Sequence, residues 1–272
     1  MNTIELKTER IDAFEIEGKR IPHMKGSEHI HIGTSGWHYD HWKGPFYPQE
    51  LSKGRFLDYY ADMFDTAEIN NSFYQVPRKQ TLINWRDAVP EGFVFSVKAS
   101  RYITHMKKLK DPEKPLSTFL KTVAVLGEKL GPILFQLPPR WRFNPERLEH
   151  FLGSLPPDYR YAFEFRDTSW FNHETTSLLV ENGAAFCIYE LAGKQSPKEV
   201  TADFVYVRLH GPNGAYKGRY GKGVLSGWAG AFSAWTDQGK EIYCYFDNDE
   251  AGYAAENASQ LQEMVSDHAD TQ

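Results

Sequence analysis

Only two of the 272 residues are cysteine, Cys187 and Cys244. Each lies inside an apolar run, and their separation fits no zinc-ligand spacing. They read as two buried core thiols in a reducing compartment, which excludes a disulfide-stapled secreted scaffold. No apolar stretch approaches the roughly 20 residues that cross a bilayer, so no membrane association is expected. Residues 1–30 are charged throughout and contain no apolar signal-peptide segment, which points to the cytoplasm. Excess positive charge is lacking too: 31 Lys and Arg stand against 36 Asp and Glu, a formal net charge of −5. That balance argues against a general nucleic-acid coat, though it is compatible with a local basic face. Short repeats and low-complexity tracts are absent. No Gly-rich dinucleotide turn follows an early strand, because Gly33-Thr34-Ser35-Gly36-Trp37 has the wrong spacing and a bulky residue behind it.

What the chain does contain is a recurring alternation of short β-rich runs and longer helical stretches. The runs are Ile30–Thr34, Thr66–Asn70, Phe93–Lys98, Ile133–Leu137, Tyr161–Arg166, Ala184–Glu190, Phe204–His210 and Glu241–Asp247. Helical periodicity marks Arg55–Phe64, Gln80–Val89, Leu116–Leu130, Pro145–Leu155, Glu174–Glu181, Gly227–Gln238 and Ala254–Val265. Gly131-Pro132 reads as the stop of the third helix, and Asn144-Pro145 as an N-cap with proline at the first helical position. The connection Leu191–Asp203 shows no convincing helix. About eight strands in this alternation predict an α/β fold, a closed (β/α)8 TIM-type barrel over residues 29–272, with an open doubly wound sheet as the alternative. Residues 1–28 form a short extension outside it. Within that extension, Lys7–Ile21 reads either as an amphipathic element covering the barrel bottom or as a segment without fixed structure.

Side chains alternate across a strand, so one face of each barrel strand must be apolar and the other points inward. Thr66, Glu68 and Asn70 oppose Ala67 and Ile69; Ser96 and Lys98 oppose Phe95 and Val97; Gln136 opposes Phe135 and Leu137. Glu164 and Arg166 oppose Phe163 and Phe165; Tyr206, Arg208 and His210 oppose Val205, Val207 and Leu209; Tyr245 and Asp247 oppose Cys244 and Phe246. Polar groups from six strands therefore converge near the C-terminal ends, where barrel enzymes keep their sites. Glu68, Lys98, Glu164, Arg208, His210 and Asp247 are the candidate catalytic set. A buried ion-pair network that performs no chemistry is the competing reading, since such groups are costly to desolvate unless paired.

Two rim segments are basic although the protein is acidic. One is Ser100-Arg101-Tyr102-Ile103-Thr104-His105-Met106-Lys107-Lys108-Leu109-Lys110. The other, Gly211 to Gly223, holds five glycines with Tyr216, Lys217, Arg219, Tyr220 and Lys222. Glycines let backbone N–H groups approach a ligand, and barrels often bind phosphate near their last two strands. Aromatic residues crowd the same segments, among them Trp37, Tyr39, Trp42, Phe73, Tyr74, Trp141 and Trp170, able to stack on rings or to pack loops onto the barrel. The candidate ligand-binding residues are Trp37, Asn70, Gln136, Arg166, Trp170, Tyr216, Lys217, Tyr220 and Asn248.

Six stretches together resemble a known family. They are Ile32-Gly33-Thr34-Ser35-Gly36-Trp37, Glu68-Ile69-Asn70-Asn71-Ser72-Phe73-Tyr74, Phe135-Gln136-Leu137-Pro138-Pro139, Glu164-Phe165-Arg166 with Ser169-Trp170, Arg208-Leu209-His210-Gly211, and Tyr245-Phe246-Asp247-Asn248. In this order, from about Ile30 to the C-terminus, the chain resembles the domain of unknown function 72 (YecE-like) family. The resemblance implies a TIM-type barrel and implies no settled activity.

Three functional readings follow. An enzyme acting on a phosphorylated or otherwise anionic, polyhydroxylated small molecule would hold the anion with Arg208, Lys98 and the seventh-strand loop. Glu68 or Glu164 would serve as general acid or base, and His210 as proton shuttle; a glycosidase is its narrower form. A nucleic-acid-binding or nucleic-acid-processing protein would use the basic loops and aromatics. A non-catalytic binding protein would show Glu68, Glu164 and Asp247 sequestered in salt bridges with no open pocket above. With one inward histidine no zinc site is expected. The sequence names no cofactor and leaves the oligomeric state open.

Overall fold

The structure, a computed structural model, describes residues 29–269; the expected extension over residues 1–28 lies outside the described residues. Eight parallel strands form the barrel: β1 (Ile30–Ser35), β2 (Thr66–Ile69), β3 (Val94–Lys98), β4 (Leu130–Gln136), β5 (Tyr161–Glu164), β6 (Ala185–Leu191), β7 (Phe204–Leu209) and β8 (Glu241–Phe246). Each pairs with the next, and β8 returns to pair with β1, which closes the sheet. Closure excludes the open doubly wound alternative. Seven helices alternate with the strands: α1 (Phe56–Ala61), α2 (Lys79–Ala88), α3 (Glu113–Val123), α4 (Pro145–Leu152), α5 (His173–Glu181), α6 (Lys222–Thr236) and α7 (Tyr253–Ala269).

The alternation read from the sequence divides the core in two. Outward residues such as Ile69, Val97, Phe135, Phe163 and Phe246 pack under the helices in the larger apolar layer. Burying one such side chain contributes roughly 1.5–3 kcal/mol. Inward residues, including Leu134, Cys187, Tyr206 and Tyr245, fill the barrel interior as a second cluster. Tyrosine hydroxyls in that interior are paired: the Tyr245 hydroxyl meets Thr66 Oγ1 at 2.8 Å and Ser96 Oγ at 2.7 Å. Cys187 and Cys244 are both buried and free, on opposite faces of the barrel wall.

Two local features depart from the expected punctuation. Gly131-Pro132 does not stop α3; both residues lie inside β4. The β3–β4 register shifts at this point, between Phe95 and Val97, so the pair marks an irregularity in the strand, where a residue without an N–H is tolerated. The chain leaves α3 earlier, through a 3-10 turn in which Gly127 takes φ 60°. The sixth connection indeed lacks a helix: a two-residue strand, Lys194–Gln195, folds back antiparallel onto β6. Gly33 is needed for close approach, because a Cβ there would lie 2.2 Å from the Thr66 carbonyl oxygen.

Candidate functional site

Arg208 is the hub. It stands on β7, is fully buried, and faces inward because Val207 and Leu209 face the helices. Its Nη2 donates to Glu68 Oε1 at 2.6 Å, to Asp247 Oδ2 at 3.1 Å and to Ser35 Oγ at 3.1 Å. Its Nη1 donates to Glu164 Oε2 at 2.9 Å. Register puts these partners together: Ser35 is level with Glu68, and Gln136 with Glu164. Glu68 is further satisfied by hydroxyls, Ser35 Oγ at 2.5 Å and Tyr206 OH at 2.7 Å.

His210 extends the network towards the mouth. Its Nδ1 lies 2.9 Å from Asp247 Oδ2, and Arg166 Nη2 lies 2.8 Å from its Nε2. A guanidinium only donates, so Nε2 accepts and the ring proton sits on Nδ1, directed at Asp247. Arg166 also pairs with Glu164 and lies over the Tyr189 ring, 4.7 Å from its centroid. Burial alone would raise the Glu164 carboxyl, but Arg166, Arg208 and His210 together hold it well below the usual carboxylate range. Asp247 is lowered in the same way, against its burial, chiefly by Arg208 and His210.

Lys98 is the exception. Only 6% exposed at the C-terminal end of β3, it has no carboxylate within ion-pairing distance among the described residues. Its ammonium lies 4.5 Å from the centre of the Phe73 ring. Burial, reinforced by Arg208, lowers its pKa to about 8, against the weaker pull of Glu164, Glu68 and Asp247. His105 touches the same phenyl ring at 4.9 Å in an edge-on arrangement. Burial and the nearby charges of Lys98, Arg101 and Arg166 lower His105 to about 4. The three inward carboxylates are engaged by Arg208 and Arg166, which leaves Lys98 as the inward cation that holds no ion pair among the described residues.

Five of the six candidate catalytic residues are thus gathered in one network, and Lys98 stands outside it, over the Phe73 ring. The candidate ligand-binding residues divide. Asn70, Gln136 and Arg166 are half-buried at the mouth. Tyr216 is 47% exposed, with its ring 5.9 Å from that of His210. Lys217 is exposed in the β7–α6 loop. Trp37, Trp170, Tyr220 and Asn248 do not reach the mouth. Trp37 turns outward to pack on Trp85 of α2 and on Phe95. Trp170 stacks on Phe165 and donates its indole N–H to the Trp141 carbonyl at 2.6 Å. The Tyr220 hydroxyl accepts from Gly211 N, and Asn248 Nδ2 donates to the Gly218 carbonyl, so both serve to pin the β7–α6 loop. That loop is held at several points and is not a loosely solvated tether.

Four contributors were not among the candidates: Tyr206, read as inward but given no role, Ser35 and Tyr189, which point inward by the same alternation, and His105, which lies in a π-helical turn (Tyr102–Met106) without a readable period. A cleft of about 450 Å³ lies to one side, between this turn and α3, lined among others by Ile103, Lys107, Lys114 and Phe119. It contains none of the candidate residues and no deeply buried ionisable group. A divalent cation there would have to displace Arg208 from between Glu68, Glu164 and Asp247; no metal-binding group of three or more ligands is found among the described residues. No helix among those residues is long and apolar enough to cross a membrane.

The family model described as "Protein of unknown function DUF72" matches residues 31–272. The UPF0759 protein YunF of Bacillus subtilis is 27% identical over 273 residues, covering 87% of this chain and 94% of that protein. The UPF0759 protein YecE of Escherichia coli is 29% identical over 146 residues, 52% of this chain and 50% of its own length. Among solved structures, a DUF72 family protein from Thermotoga maritima superposes with a TM-score of 0.80 at 30% identity, covering 88% of this chain and 99% of that one. One from Enterococcus faecalis gives 0.74 at 22% identity, covering 87% and 95%, a likeness of fold.

Proposed function

The chain belongs to the DUF72 family, and from that premise we propose that it binds a small anionic molecule, phosphorylated or carboxylated and hydroxylated, at the C-terminal mouth of the barrel and acts on it by proton transfer. The observation that carries this reading is the unmatched cation: Lys98 is nearly buried yet has no carboxylate within ion-pairing distance among the described residues. A buried cation without a counter-ion is costly, and an anionic ligand would relieve that cost. Asn70, Gln136 and Tyr216 supply neutral donors and acceptors around the opening. Proton transfer falls to Lys98, whose pKa of about 8 lies near the working range of a general base. Glu68 and Glu164, which the sequence nominated for that role, are engaged by Arg208 and are poor candidates for it.

Thermal-shift and calorimetric screening against sugar phosphates, phosphorylated polyols and hydroxy acids tests the proposal. A stabilising ligand is expected, with affinity at least about 10-fold weaker in Lys98→Met. Ligands that bind equally well to that variant would overturn the assignment. A second reading, contact with single-stranded nucleic acid, is favoured by the exposed Tyr74 and Tyr102 beside Arg101, whose guanidinium lies 5.9 Å from the Tyr74 ring. Its test is oligonucleotide binding that weakens steeply with salt.

A further inference from the structure

Three cations point into the upper barrel, and two of them, Arg166 and Arg208, are arginines that pair with carboxylates and cannot lose a proton. If holding an anion were the whole task, a third arginine would do it better, since its planar fork matches carboxylate and phosphate oxygens. The position instead carries a lysine, shielded on one side by the Phe73 ring and on the other by burial. Lysine is the one residue of the three that becomes a neutral, nucleophilic amine, and desolvation away from carboxylates is the arrangement that activates it. At a pKa of about 8, roughly a tenth of Lys98 is free amine near neutral pH.

We propose that Lys98 forms an imine with a carbonyl group carried by the anionic ligand, an aldehyde, a ketone or a 2-oxo acid. The inference rests on the reading of the mouth as an anion site, because Arg166 and Arg101, whose charges both reach His105, would hold the anion while its carbonyl carbon meets Nζ. The Nζ lone pair forms the new C–N bond while the C=O π pair moves to oxygen, which takes up a proton; the nitrogen loses one, giving a neutral carbinolamine. Protonation of its hydroxyl and departure of water, with the nitrogen lone pair forming the C=N bond, leave the iminium; loss of its N–H proton gives the neutral imine. His105, edge-on to the same Phe73 ring and unprotonated near neutrality, is placed to carry protons between nitrogen and oxygen. The iminium then draws electrons from the adjacent carbon, which suits proton abstraction or carbon–carbon cleavage next to a carbonyl.

Reductive trapping tests this directly. The protein is incubated with dihydroxyacetone phosphate or pyruvate, reduced with borohydride, digested and mapped by mass spectrometry. The expected result is a mass gain of the probe less one oxygen atom on the peptide that spans Lys98. Surface lysines should be labelled at under about one-tenth of that occupancy, as expected for unperturbed amines. The label should vanish in Lys98→Arg, whose melting curve reports whether it is folded; where that variant fails to fold, the wild-type map decides alone. Labelling scattered over many lysines would overturn the proposal. Glycerol 3-phosphate and lactate, which lack the carbonyl, separate the two levels. If they bind and nothing is trapped at Lys98, the imine is wrong and the anion site stands. If they do not bind and nothing is trapped, both fall.

Discussion

At the N-terminal end of the barrel His31 lies between Asp65, 2.8 Å from Nδ1, and Glu241, 3.2 Å from Nε2. At the C-terminal end His210 lies between Asp247 and Arg166, above a fully buried arginine. The two clusters use the same side-chain types, and in each the histidine is buried. Yet the lower one is closed on itself: Arg160 pairs with Glu241 and donates to the Tyr243 hydroxyl, Tyr243 donates to Glu241, and the His31 ring stacks on Tyr243 at 5.0 Å. Every charge there has its partner. The upper cluster leaves Lys98 without a carboxylate partner among the described residues. Burial and charge alone do not distinguish a site from a structural lock. An unmatched group does.

The largest effect is expected at the hub of the upper cluster. Arg208→Met leaves Glu68, Glu164 and Asp247 facing one another without their shared cation. Breaking a buried pair costs roughly 3–5 kcal/mol, so the melting temperature should fall by roughly 10 °C. A loss of only a degree or two would show that the network contributes little to the fold.

The lower cluster should respond to pH. Burial alone would lower the pKa of His31, but hydrogen bonds with Asp65 and Glu241 raise it from 6.5 to about 9. A folded-state value above the unfolded one means the stabilisation is fully present below about pH 6.5 and is lost as pH rises through 9. The difference is at most about 3 kcal/mol. Urea unfolding at pH 6 and at pH 9.5 should reveal that loss in the wild type and a much smaller one in His31→Gln. Parallel pH curves for both proteins would contradict the lock.

The smallest loss of stability is expected at the unmatched lysine. Lys98→Met removes a desolvated charge that holds no ion pair, so stability should not fall and should shift towards gain, while ligand binding suffers. A loss comparable to that of Arg208→Met would place Lys98 inside the structural network.

The barrel was legible because a closed parallel sheet under helices demands an apolar outer face, and period-two alternation then assigns the inner one. The same rule brought Glu68, Glu164, Arg208 and Asp247 together correctly, since each sits on or at the end of a strand. It says nothing beyond the strand ends. Trp37 follows Gly36, which turns at φ 93°, and the indole leaves the mouth for the helical layer. Trp170 and Tyr220 are likewise aromatic groups on the correct end of the molecule that pack inward beneath loops. His105 was invisible because a π-helical turn has no recurring pattern to reveal which side chain returns over the barrel. Gly131-Pro132 misled because the same dipeptide stops a helix and breaks a strand's register.

The most direct measurement is the titration of Lys98 itself, followed by NMR of lysine labelled with carbon-13 at Cε, with and without inorganic phosphate. A midpoint near 8 that moves upward when phosphate is added is predicted, because an anion beside the ammonium favours its charged form. A midpoint at the ordinary lysine value of about 10.4, indifferent to phosphate, would contradict the account.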